Sequence, residues 1–286
     1  MSALQKPIFF EYSQAATPTI DEILPTTIQS KHETIITPNL SAKYLSLEDP
    51  MTEQNLKHGS SHVFYVLHGS GFTMIEENFK IIWEQGDVFV LPYSNKPVFH
   101  KKTSSTALFF YANDEPLFNY LSAEPTKRRF TPTFYKNHLM MEKINQVNQE
   151  NDAFTRNRNG ILLSNPEMEK EHLNTLTHTM WSLLNFIGPN TTQKPHRHNS
   201  IAIDLCTDID PDAENKGLVY TLMGRTLEDL EKCPIKMIWR KGCVFTTPPG
   251  WWHSHHNDSE KSAWVFPIQD AGLHTHLRTL DIEFVP

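Results

Sequence analysis

The chain has 286 residues with 26 Lys+Arg against 33 Asp+Glu, a net charge of −7, and no basic stripe, so nucleic-acid binding has little support. No apolar stretch reaches the roughly 18 residues that a membrane helix needs, and the N-terminus lacks the apolar run of a signal peptide, which argues against a membrane or secreted protein. Three cysteines, Cys206, Cys233 and Cys243, are odd in number and without CxxC spacing, so they read as reduced thiols of a cytoplasmic protein and not as a disulfide frame.

In chain order, the first β-rich segment runs from Ile35 to Ala112. Its short apolar strands are predicted at His62–Leu67, Gly71–Ile75, Lys80–Trp83, Asp87–Leu91 and Ala107–Tyr111. Gly69-Ser-Gly71, Glu76-Glu-Asn78, Gln85-Gly86 and Ser94–Pro97 punctuate them as turns. Many short strands at this spacing predict an all-β barrel or sandwich. Glu115–Leu121 reads as a helical turn. Residues 136–160 carry apolar side chains at 139, 140, 144 and 147, the pattern of a one-faced helix, followed by an Asn-rich loop.

A second β-rich segment runs from Leu173 to Phe284. Strands are predicted within Thr177–Ile187 and at Ser200–Leu205, Leu218–Leu222, Lys236–Trp239, Cys243–Thr247 and Ser262–Phe266. The acidic insert Asp208–Gly217 is predicted to be a solvated loop. One phrase recurs in both segments: five residues separate Gly86 from Pro92, and five separate Gly242 from Pro248. This favours two related barrels, with 1–125 forming the N-terminal barrel, 126–170 a polar, helical linker and 171–286 the C-terminal barrel.

The chemistry concentrates in the second barrel. Alternation along a strand turns His196 and His198 to the same side and Arg197 to the other. The turn Pro248-Pro-Gly250 would aim His253 at that pair from a neighbouring strand. Neutral imidazole nitrogen suits Fe(II), Mn, Ni, Cu and Zn, so the ligand type alone does not choose the metal. His255, two residues after His253, alternates onto its face and is the candidate catalytic group; Trp252, His256 and Arg240 are candidate substrate-binding groups. His274 and His276 alternate in the same way and read as rim residues.

Gly242, Pro248, Gly250, His253 and Asn257 match every element of the second cupin motif, and His196-Arg-His198 resembles part of the first. The glutamate of the first motif is replaced by Ala202 and Ile203. Histidines without that glutamate, with Thr247-Pro-Pro-Gly-Trp251-Trp252-His253-Ser-His255, resemble gentisate 1,2-dioxygenase and its salicylate and 1-hydroxy-2-naphthoate relatives. The resemblance lies at the C-terminal end, whereas that family carries its metal in the N-terminal barrel. It implies a fold of two cupin barrels, Fe(II) held by His196, His198 and His253, and ring cleavage of a hydroxylated aromatic acid by O₂; exposed barrel edges separately favour a homo-oligomer. Two other readings stay open: a three-histidine dioxygenase acting on another small chelating substrate such as a thiol, and a non-catalytic binding protein. In the first barrel His58 has no histidine partner at Leu56, and Pro97 stands where the motif histidine belongs, so that barrel is expected to be metal-free.

Overall fold

The computed structural model describes residues 9–10, 34–76, 79–151 and 158–285. The described residues fall into two compact units, one formed by 34–139 and 165–171, the other by 9–10, 140–151, 158–164 and 172–285. Each is a pair of antiparallel sheets, as the strand spacing predicts.

In the N-terminal unit a six-stranded sheet runs Thr133–Tyr135, Val88–Pro92, Ser61–His68, Leu108–Asn113, Ser41–Ser46, Thr34–Ile36. Its companion has four strands in the order Thr52–Gln54, Val98–Lys102, Ser70–Glu76, Phe79–Glu84. Ser41–Ser46 alternates half-exposed and buried residues, the signature of a sheet with one face on a core. The interior is aromatic: Phe64 stacks on Phe89 with ring centroids 4.8 Å apart, and Trp83 meets Phe109 edge-on at 4.8 Å.

The C-terminal unit repeats the plan. One sheet runs Phe9–Phe10, Val244–Thr247, Ala202–Asp208, Ala263–Gln269, Trp181–Ile187, Asn159–Leu162. The other runs Ile235–Ile238, Val219–Gly224, Trp252–Asn257, His196–His198, Ile282–Phe284, and Thr191–Thr192 also pairs with Trp252–Asn257. Cys206, Met223, Trp239, Phe245 and Val265 fill the core between the sheets.

The stretch 126–170 is not only a linker. Thr133–Tyr135 pairs with Val88–Pro92 of the N-terminal unit, and Asn159–Leu162 pairs with Trp181–Ile187 of the C-terminal one. The predicted one-faced helix is present at Asn137–Asn148 with Met140 and Ile144 buried, although Leu139 stays exposed. The acidic insert contains a short helix, Pro211–Lys216, in place of the predicted loop. The Asp210 side chain accepts from the amides of Asp212 and Ala213, Pro211 needs no amide partner at the first helical position, and Gly217 closes the helix at φ 63°. His274 and His276 lie on a helix, Ala271–Leu277, and not on a strand. Gly272 lets that helix press against the backbone of Met180, where an added Cβ would come within 2.5 Å of the Met180 amide nitrogen.

The three cysteines are free, Cys206 and Cys243 buried and Cys233 exposed. Among the described residues no helix is long and apolar enough to cross a membrane.

Candidate metal centre

The histidine pair sits on the short strand His196–His198, between Trp252–Asn257 on one side and Ile282–Phe284 on the other. In this register His196 lies opposite His253. The connection carrying His253 is tied to the same strand, because the Gly250 amide donates to the His198 carbonyl at 2.7 Å. Gly250 reaches that carbonyl at φ 76°, a conformation costly for any residue with a Cβ. Arg197, pointing the other way, donates to Glu283 through Nε at 2.7 Å and so fastens the strand to its C-terminal neighbour.

The outcome is convergence. His196, His198 and His253 each offer one ring nitrogen within 4.8 Å of the others, so together they could hold a metal ion. The His198 Nδ1 lies 2.8 Å from the Ser200 carbonyl and 3.0 Å from the Ser200 hydroxyl, which itself donates to Gln269 at 3.0 Å. The His253 Nδ1 lies 3.0 Å from the Trp251 carbonyl. A carbonyl can only accept, so both rings carry their proton on Nδ1 and leave Nε2 with a free lone pair. This is the tautomer a metal requires, and orientation by the far nitrogen is the usual support for a ligating histidine. Two of the three imidazoles therefore fit a divalent ion as they stand.

His196 differs. Its Nδ1 accepts from the Arg158 guanidinium at 2.7 Å, and the same guanidinium nitrogen donates to the Lys194 carbonyl at 2.5 Å. Arg158 also lies over the Phe284 ring, 5.0 Å from its centroid, while Phe284 stacks on His196 at 5.6 Å.

Electrostatics keep the rings neutral. Burial lowers His198 to about 4 and His255 to about 3, and Arg158 adds to both shifts. Burial, then the neighbouring His253 and Arg158, push His196 well below its ordinary value; His253 is lowered by burial and then by His198 and His255. Burial also brings Arg158 down to about 10, still a cation at neutral pH. Asp204, on the strand Ala202–Asp208, is raised to about 7 by burial, opposed by the bond it accepts from the Thr247 hydroxyl at 2.7 Å.

His255 joins the cluster as its place in the strand predicts, with ring centroids 5.8 Å from His253 and 6.4 Å from His196. The candidate substrate-binding residues do not. Trp252 and His256 alternate onto the opposite face of Trp252–Asn257: Trp252 faces the Arg197 guanidinium at 5.7 Å, and His256 stacks on Tyr220 at 4.8 Å. Arg240 is exposed in the turn that leads to Gly242. Arg158 is a cation beside the histidines, and its place in an Asn-rich loop gave no sign of this in the sequence. Gln269 and Asp270 acquire defined contacts: Gln269 steadies Ser200, and the Asp270 carboxylate accepts from the Ile201 amide at 2.8 Å.

The N-terminal unit holds a second copy of this frame. Thr73 pairs with His100 as Thr221 pairs with His255. Val98, and not Pro97, therefore falls at the position of His253.

Solved structures share this architecture. Salicylate 1,2-dioxygenase from Pseudaminobacter salicylatoxidans superposes with a TM-score of 0.74, covering 99% of this chain and 90% of that one at 12% identity. The fold is a bicupin. A single-residue variant of the same enzyme in complex with gentisate also reaches 0.74, covering 99% and 87% of the two chains at 11% identity. Oxalate decarboxylase matches at 0.52, covering 81% of this bicupin and 68% of that chain at 13% identity. No family model matches the sequence, and no curated protein sequence matches it.

Proposed function

We propose that this bicupin is a non-haem Fe(II)-dependent dioxygenase that opens the ring of a hydroxylated aromatic carboxylate. The observation that carries the reading is the convergence of His196, His198 and His253, with ring nitrogens within 4.8 Å of one another and no carboxylate in the set. Three neutral donors would suit a divalent ion and would leave a chelating substrate and O₂ able to bind it. Iron(II), when bound by these residues, supplies the redox chemistry that dioxygen needs.

The rest falls to the chain. Arg158 supplies a desolvated guanidinium beside the histidines, suited to a carboxylate. A guanidinium only donates, so its bond to His196 Nδ1 has to give way once Nε2 of that ring is a ligand and Nδ1 carries the proton. The Arg158 N–H so released would then be available to the substrate anion. Trp239 and Phe245, both fully buried, keep water from the interior behind His255. The fold likeness supports a small aromatic acid as substrate, since the salicylate dioxygenase variant is described with gentisate. Ala202 and Ile203 at the position of the cupin glutamate weigh against the ligand set that the notable decarboxylase and germin-like cupins use.

The test is metal content of anaerobically purified protein together with O₂ uptake on gentisate and salicylate. About one iron per chain is expected, with uptake abolished in His196→Ala. Failure to take up Fe(II) on reconstitution would remove the reading.

A further inference from the structure

The hydrogen bonds behind His255 determine what that residue can do. Its Nδ1 lies 2.8 Å from the Thr221 hydroxyl, and the Trp239 indole N–H donates to the same hydroxyl at 2.8 Å. Thr221 is fully buried, and Trp239 and His255 are its side-chain partners. A hydroxyl has one proton to give. The indole can only donate, so it occupies a lone pair of the oxygen and leaves the Thr221 proton with His255 Nδ1 as its acceptor. The opposite arrangement, with Nδ1–H donating to Thr221, would strand a buried hydroxyl proton without an acceptor, a costly defect in a folded protein. His255 Nδ1 is therefore unprotonated, and the ring proton sits on Nε2.

The same device recurs in the other barrel. Trp83 donates to the Thr73 hydroxyl at 3.0 Å, and that hydroxyl lies 2.7 Å from His100 Nδ1. Both tryptophans close a similar phrase, Lys80-Ile-Ile-Trp83 and Lys236-Met-Ile-Trp239, which differ only at the second residue. There His100 is fully buried, its Nε2 has no hydrogen-bond partner, and its ring sits 5.1 Å from Phe64 and 5.2 Å from Phe109. In the C-terminal barrel the equivalent ring lies beside three histidines.

We infer that Thr221 and Trp239 are positioning residues that fix His255 as its Nε2–H tautomer, so that it presents a hydrogen-bond donor, and not a base, beside the candidate metal centre. With Arg158 also only a donor, the groups at the centre suit a ligand that arrives with acceptor oxygens, such as a carboxylate or phenolate, and do not take a proton from it. This consequence for the substrate rests on the proposed metal-dependent function; the tautomer does not.

The experiment is NMR of ¹⁵N-histidine-labelled protein, metal-free and loaded with diamagnetic Zn(II). Long-range correlations distinguish the tautomers, and His255→Gln and His100→Gln identify the two signals. Wild type should give the Nε2–H pattern for His255. Thr221→Val should lose it, Thr221→Ser should restore it, and salicylate should bind Zn(II)-loaded Thr221→Val about tenfold more weakly than wild type. An Nδ1–H pattern for wild-type His255, or an unchanged pattern in Thr221→Val, overturns the inference. The wild-type spectrum decides even if Thr221→Val does not fold. Salicylate failing to bind while the pattern holds would reject the substrate reading and leave the positioning role standing.

Discussion

Arg158 and Ser200 act on neighbouring histidines in opposite senses. The Ser200 carbonyl and hydroxyl, at 2.8 and 3.0 Å from His198 Nδ1, favour the metal-binding tautomer. Ser200→Ala keeps the carbonyl and loses the link to Gln269, so metal affinity should fall about tenfold, the lower end of what such supporting bonds contribute, as read by competition with a chromogenic chelator. Arg158→Met removes the cation 2.7 Å from His196 and fills similar space. It should lower kcat/KM for an aromatic acid about 30-fold, equivalent to about 2 kcal/mol for a bond to a charged group, mainly through KM. A neutral catechol should be nearly indifferent to the change, and equal losses on both substrates would refute carboxylate recognition by Arg158. The three histidines were legible because strand alternation and the Gly250 turn are local properties. Arg158 was not, because its contact with His196 crosses 38 positions and depends on a fold whose chain path no local pattern reveals.

At the scale of elements, two glycines serve the barrel in different ways, and substitution separates them. Gly250 has φ 76° and open space around a would-be Cβ, so Gly250→Ala should cost about 1–2 kcal/mol through backbone strain alone. An added methyl at Gly272 would come within 2.5 Å of the Met180 backbone, and Gly272→Ala should cost about 3 kcal/mol because the helix Ala271–Leu277 must move away. Urea denaturation of both variants checks the ranking, and equal losses would show that the helix can shift freely. Strands with clean apolar runs were readable from the sequence, since period and turn residues agree there. The helix Ala271–Leu277 was not, because His274-Thr-His276 satisfies alternation as well as it satisfies a helical turn. Thr133–Tyr135 and Asn159–Leu162 were hidden for another reason: each is an outer strand of three or four mostly half-buried residues, too short to show a period.

Across the whole molecule, the two barrels keep one Thr–Trp–His frame while differing in what surrounds it. The phrase shared by Gly86–Pro92 and Gly242–Pro248 exposed the duplication in the sequence, but the Pro97 alignment slipped by one residue because the turn before Val98 differs from Pro248-Pro-Gly250. The cost of the buried frame should appear in stability against pH. His100 is lowered from 6.5 to about 3 by burial, and it lies outside the candidate metal centre, so metal loading does not mask it. Its folded value is below its unfolded value. Above pH 6.5 the ring is neutral in both states and contributes no pH dependence. As pH falls through 6.5 the unfolded chain takes up a proton that the folded barrel refuses until about 3, so stability declines through that window. The slope from one such group is about 1.4 kcal/mol per pH unit. His100→Gln retains a polar group near Thr73 but does not titrate, and should flatten the acid limb by about that amount in denaturation series between pH 6 and 4. An unchanged slope would mean that the ring is protonated in the folded barrel, which would require an acceptor at Nε2 in place of the aromatic surroundings of Phe64 and Phe109.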